Sequence, residues 1–177
     1  MVAKSLTQNP PKQNIILDTN IWSYIAEKET AGYVLSYLLE LVQRGFGLAL
    51  SDITIYELLR GNKKDKEKRM LELLNPFFRY YLTVEVLVAA AQLDIIMKTQ
   101  NIDINSVDHG DKLIASTAIL TGSLILTADA KGFHWPFFQE AERKVITFEK
   151  NHKTKCYVLA LLKADNAVIT QSFNQRP

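Results

Sequence analysis

Four acids stand out because each occupies the same kind of position in the chain. Asp18 follows the apolar run Ile15-Ile16-Leu17, and Asp129 stands just beyond Leu124-Ile125-Leu126-Thr127. Asp111 lies in the first turn of a helix that opens at Asp108, and Glu57 belongs to the helix after the short strand Phe46–Leu50. In an alternating α/β sheet, strand carboxyl ends and the amino ends of the following helices share one edge. The four carboxylates are therefore expected in one cleft. Two like charges about 4 Å apart repel by roughly 4 kcal/mol at an effective dielectric of 20. Such acids must take up protons or bind a cation. Oxygen-only ligands select Mg2+ or Mn2+ over zinc or copper. An ion so held suits phosphodiester hydrolysis, because it polarises a phosphoryl oxygen and lowers the pKa of a bound water. Plainer roles stand beside this one. Asp18 could cap the next helix, Glu57 could sit at the edge of its helix's apolar stripe, and Asp108 reads as a helix cap first and an extra site acid second.

The elements that must position these acids are legible in outline. An apolar run without alternation, such as Ile15–Leu17, reads as a strand covered on both faces. Helical spacing follows at Ile21, Tyr24 and Ile25, and again from Val34 to Val42, closing at Arg44-Gly45. Ser51-Asp52 offers a cap for a helix through Arg60 that Gly61 ends. A charged helix start runs from Asn62 to Arg69, Arg79–Leu82 is a third strand, and Thr83 caps a long helix to about Gln100. A helix over 112–120 ends at Gly122 and leads to the strand 124–127. Residues 130–142 read as aromatic-rich loop or short helix, and 145–148 as a last strand. The tail reads as a β-hairpin of 156–162 with 167–173, with one helix across 156–164 as its rival.

The chain has 177 residues, 47% of them hydrophobic and 23% charged, which predicts one globular domain. Expected boundaries are a flexible lead-in over 1–13, the main domain over 14–150 and an extension over 151–177. A net charge of +2 announces no global polyanion field. The local candidates for tracking RNA phosphates are Lys63 and Lys64, with Arg60 just before them, although a solvated helix start explains the same run. One cysteine and three scattered histidines argue against a disulfide or a zinc site. No apolar run is long enough to span a membrane, and the N-terminus lacks a signal-peptide core, so the expected location is cytoplasmic.

Taken in order, Ile16-Leu17-Asp18-Thr19-Asn20, Tyr56-Glu57-Leu58-Leu59-Arg60-Gly61, Asp111-Lys112-Leu113-Ile114-Ala115-Ser116-Thr117-Ala118 and Leu126-Thr127-Ala128-Asp129 match the four acidic motifs of PIN-domain nucleases. The chain most resembles their VapC-like toxin branch, over roughly residues 14–148. The resemblance implies a three-layer α/β fold, with a mostly parallel central sheet and helices on both faces. It implies Mg2+- or Mn2+-dependent cleavage of RNA. Asp18, Glu57 and Asp111 resemble the metal-binding acids, Asp129 the fourth acid, and Asn20 and Thr127, with Thr19 of the first motif, the polar residues that hold them. It further implies a homodimer silenced by a small antitoxin. The segment after Phe148 is longer than such a domain needs.

Two other readings use the same residues. A PIN-like module could keep its acids yet serve as a scaffold or RNA-docking unit. An Mg2+-dependent phosphatase could use Asp18 as nucleophile, but that pattern wants a second acid two positions on, where Asn20 stands.

Overall fold

A computed structural model describes residues 11–60, 64–133, 137–150 and 152–175. The expected lead-in, as far as Pro10, and the candidate phosphate contact Lys63 lie outside the described residues. Six strands form one sheet in the order β3-β2-β1-β4-β6-β5. They are β1 (Gln13–Leu17), β2 (Phe46–Ser51), β3 (Phe78–Tyr80), β4 (Leu124–Thr127), β5 (Phe138–Lys150) and β6 (Lys153–Ala164). The first four run parallel, and β6 joins β4 and β5 antiparallel to both. Among the described residues seven α-helices accompany them: α1 (Thr19–Ala26), α2 (Ala31–Gln43), α3 (Asp52–Leu59), α4 (Lys64–Leu74), α5 (Val84–Thr99), α6 (His109–Thr121) and α7 (Asn166–Asn174).

Strand alternation divides the core in two. Ile15, Leu17, Leu124, Leu126, Leu159 and Leu161 face the α1–α2 layer, where they meet Ile21, Val34, Tyr37 and Leu41. Ile16, Ala49, Ile125, Ala160 and Leu162 face the other layer, against Leu93, Met97, Ile114 and Ala118 of α5 and α6. Both faces of β1 are covered, which is why its sequence is apolar at successive positions. The three-layer expectation holds.

Helix boundaries follow their caps. Ser51 Oγ accepts from Thr54 N at 3.2 Å, and Thr83 Oγ1 accepts from Val86 N at 3.5 Å. Gly122 closes α6 at φ 65°, a backbone setting that glycine adopts without a Cβ penalty.

The C-terminal hairpin is present, but its strands differ from those expected. It is built by β5 and β6, with Lys150 paired to Lys153 and His152 at φ 58° in the turn. Residues 138–142, read as loop or short helix, already belong to β5. This is an edge strand, and its charged Glu140, Glu142 and Arg143 mask the β pattern while guarding the exposed edge. Residues 167–173, read as a strand, are helical. Asp165 caps α7 by accepting from Ala167 N and Val168 N, both at 3.1 Å. The Asp165-Asn166 pair, which resembles turn chemistry, is a helix start. The β-branched Val168 and Ile169 pack on the α5–α6 core, so tertiary burial outweighs their strand preference. Beyond residue 150 the chain is woven into the sheet, since β6 lies between β4 and β5.

Candidate functional site

Asp18 is the residue between β1 and α1, 5% exposed and engaged on both oxygens. Oδ1 accepts from Thr19 N at 2.6 Å, so Asp18 does cap α1. Oδ2 accepts from Asn20 Nδ2 and from Thr127 Oγ1, each at 2.6 Å. The capping role and the inward role coincide in one side chain. Asn20 and Thr127 are locked in turn. Asn20 Nδ2 donates to Thr127 Oγ1 at 3.0 Å, Ala128 N donates to Asn20 Oδ1 at 2.9 Å, and Asp129 N donates to Thr127 Oγ1 at 2.9 Å. The ends of β1 and β4 are thus tied into one network that fixes Asp18 and sets the backbone of Asp129.

Glu57 is half-buried on α3 and accepts a hydrogen bond from the Thr19 hydroxyl. It points inward from its helix, not outward. Its other oxygen lies against α6: a Cβ built on Gly110 would fall 2.6 Å from Glu57 Oε1 and 3.1 Å from Asp108 Oδ1. Asp111, in the first turn of α6, is half-buried. It is crowded by Gly132 in the short turn after β4, where a Cβ would overlap Oδ2 and fall 2.8 Å from Cγ. These two glycines therefore admit the acids of neighbouring elements. Gly110 is signalled by its position in a helix's first turn between two acids, while nothing in the sequence marks Gly132.

Burial first, and then the charges of Asp18, Asp108, Asp129 and Glu57, together push the Asp111 carboxyl up to about 7. Five carboxylates therefore act on one another here. Burial likewise raises Asp18, with Glu57 adding to the rise and the hydrogen bonds from Thr127, Thr19 and Asn20 opposing it. Asp108 caps α6, accepting from Gly110 N at 2.7 Å, and still contributes its charge to the cluster. Asp129 is exposed at the rim. Among the described residues, none of the five forms an ion pair with a lysine, arginine or histidine.

The donor set is all oxygen, which fits Mg2+ or Mn2+ and not zinc. Among the described residues no three acids or histidines are drawn into a ready-made cage. Protein donors hold Asp18 and Glu57, and mutual repulsion keeps the carboxylates apart. Next to the cluster, Lys112 turns away from it and reaches Asp94 of α5, Nζ to Oδ1 2.8 Å. Sequence patterning carries no sign of this pair, since Asp94 reads as surface.

A family model for the PIN domain matches residues 15–134. The chain belongs to the PIN-domain family. Among solved structures it is similar to VapBC2 from Rickettsia felis bound to a promoter DNA fragment, at 26% identity and TM-score 0.55, covering 68% of this chain and 90% of that one. It is also similar to FitAcB from Neisseria gonorrhoeae, at 27% identity and TM-score 0.56, covering 67% and 90%. FitAB bound to the IR36 DNA fragment is similar at 28% identity and TM-score 0.55, covering 67% and 87%. The likeness to the VapC-like branch read from the motifs is thereby shown. A search of curated protein sequences finds no significant match. The matched segment contains all four motif acids and ends before β5.

Proposed function

We propose that this protein is a Mg2+- or Mn2+-dependent endoribonuclease and the toxin of a toxin–antitoxin pair. The carrying observation is that acids from three other elements, with Asp108 of its own helix cap, converge on Asp111 with no countercation among the described residues. Asp18, Glu57, Asp111 and Asp129 would hold the metal, which supplies a Lewis acid that activates water and neutralises charge on the phosphoryl group. Thr19 orients Glu57, and Asn20 and Thr127 orient Asp18. The nucleophilic role for Asp18 fits less well, since both its oxygens are occupied by protein donors in a buried setting.

Phe78, Tyr81, Leu82, Val84, Leu87 and Val88 form an exposed apolar stretch from β3 into α5. Such a patch marks an association surface and supports a homodimer. The VapBC and FitAB neighbours support a small antitoxin partner. Among the described residues no helix is long and apolar enough to cross a membrane. Arg60 is exposed at the end of α3, and α4 begins at Lys64, so this segment remains a candidate RNA contact. Unstructured RNA should be cut in Mn2+ or Mg2+ and left intact in chelator. RNA that is bound but never cut would make the protein a docking module.

The Gly110 contact gives a second prediction. Gly110→Ala improves helix propensity by up to ~1 kcal/mol, yet its methyl group displaces the Glu57 carboxylate. Melting temperature should hold or rise while metal-dependent cleavage falls at least about ten-fold, in line with the loss of a metal-orienting contact. Undiminished cleavage would remove Glu57 from the site.

A further inference from the structure

The β5–β6 hairpin lies outside the 15–134 family match, and the chemistry above leaves it unused. Its register locates it. Thr127, the last residue of β4, pairs with Ala160. Residues 153–159 of β6 therefore run past the carboxyl end of β4, the edge where Asp18 and Asp129 stand. Counted along the strand, Lys155 and Lys153 are about 17 and 23 Å beyond that level.

The projecting half is anchored beside the acids. Tyr157 packs on Tyr24 of α1 with ring centroids 4.2 Å apart, and on Phe148 at 5.0 Å. Lys150 Nζ is 3.4 Å from Glu27 Oε1 at the end of α1. Burial first, then the charges of Tyr157, Glu27 and Asp129, hold the Tyr24 hydroxyl above its ordinary range.

The tip is basic. Lys150, His152, Lys153 and Lys155 occupy it, with no acid from 150 to 155. Lys150 is spent on Glu27, but Lys153 and Lys155 are exposed, and among the described residues neither forms an ion pair. Strand alternation puts both on the Tyr157 face, while the Glu149–Thr154 pair occupies the other.

We propose that the β5–β6 hairpin is an RNA-docking arm, in which Lys153 and Lys155 hold the phosphates of the single strand a few nucleotides from the segment lying at the acids. This rests on the ribonuclease reading of the site and adds where the flanking strand runs. Lys153 and Lys155, unpaired among the described residues, are complementary to a polyanion. Of the polyanions they could take, the one the ribonuclease reading already lays across the acids with a divalent ion is RNA, whose flanking phosphates then reach the arm.

The test uses the full chain and the variant Lys153→Ala/Lys155→Ala. Binding of a non-cleavable 2′-O-methyl RNA of about 20 nucleotides, longer than a typical ~4–16-nucleotide single-strand site, is followed by fluorescence anisotropy across a salt series. Two lost phosphate contacts should make the slope of log K against log salt shallower by about 1.4. Affinity at low salt should fall several-fold, and Lys153→Arg/Lys155→Arg should restore both. In Mn2+-dependent cleavage of long RNA, KM should rise with kcat nearly unchanged. An unchanged salt slope in a protein that cuts RNA overturns the arm alone. A shallower slope in a protein that never cuts RNA upholds the arm and overturns the nuclease reading. An unchanged RNA slope with lost binding of poly-glutamate would make the hairpin a protein contact and overturn the proposal.

Discussion

Asp111→Asn is expected to reduce RNA cleavage by about 100-fold or more while making the metal-free protein more stable at pH 8. The first part follows from position. Partners that merely orient metal ligands are worth ~10–100-fold, and Asp111 is the carboxylate on which the other four acids act. The second part follows from linkage. Burial and neighbouring charges raise the Asp111 carboxyl from 3.8 to about 7. Between those values the folded protein keeps a proton that the unfolded chain releases, so stability falls as pH rises from about 4 to about 7 and then levels off. Asp18 is raised too and adds to the same slope. Each ten-fold difference in proton affinity between the folded and unfolded chain is worth about 1.4 kcal/mol. Asp111 is only half-buried, so solvent screens part of this and leaves about 1–2 kcal/mol for the variant to recover. Thermal unfolding in chelator at pH 5 and pH 8 measures it. The wild type should melt lower at pH 8, and the variant should narrow that gap. Mn2+ should raise the wild-type melting temperature at pH 8 and move the variant less. A variant that melts lower than wild type at both pH values would make Asp111 a structural residue.

Much of this site could be read before any coordinates because its parts are local. Asp18, Asp108 and Asp111 announce themselves through strand ends and helix starts, and sheet topology then carries them to one edge. Glu57 could be read two ways from its own segment. The choice depended on Thr19 and Gly110, residues far from it in sequence. The tail's hairpin and its strand over 156–162 were legible, but the partner strand was not, for a related reason. Charges on an edge strand hid the first part of β5, and Val168 and Ile169 imitated a strand where burial against α5 and α6 makes a helix. Long-range packing decided each of these, and a single segment does not record it.

The pair least visible in sequence should have the largest effect on stability. Lys112 is almost wholly buried beside Leu93, Met97, Phe133, Phe137 and Phe138, and its ammonium meets Asp94, which is itself partly exposed. The contact is ionic, with an angle outside hydrogen-bond geometry. Lys112→Ala leaves an apolar void between α5 and α6 and an unpaired Asp94; because that carboxylate keeps contact with solvent, the cost falls at the low end of the ~3–5 kcal/mol of a fully buried pair. Replacing both members with apolar residues of similar size, Lys112→Met with Asp94→Leu, should recover most of that loss, because the desolvation of two charges disappears along with their attraction. Denaturant unfolding of the two singles and the double isolates the coupling. Lys112 immediately follows Asp111 on α6, so the double variant also asks whether the charge matters to the site. Its cleavage should stay within a few-fold of wild type if the pair only clamps α5 to α6. Single and double variants equally unstable would mean that the pair contributes volume and not charge, and the helix interface would then depend on its apolar side chains alone.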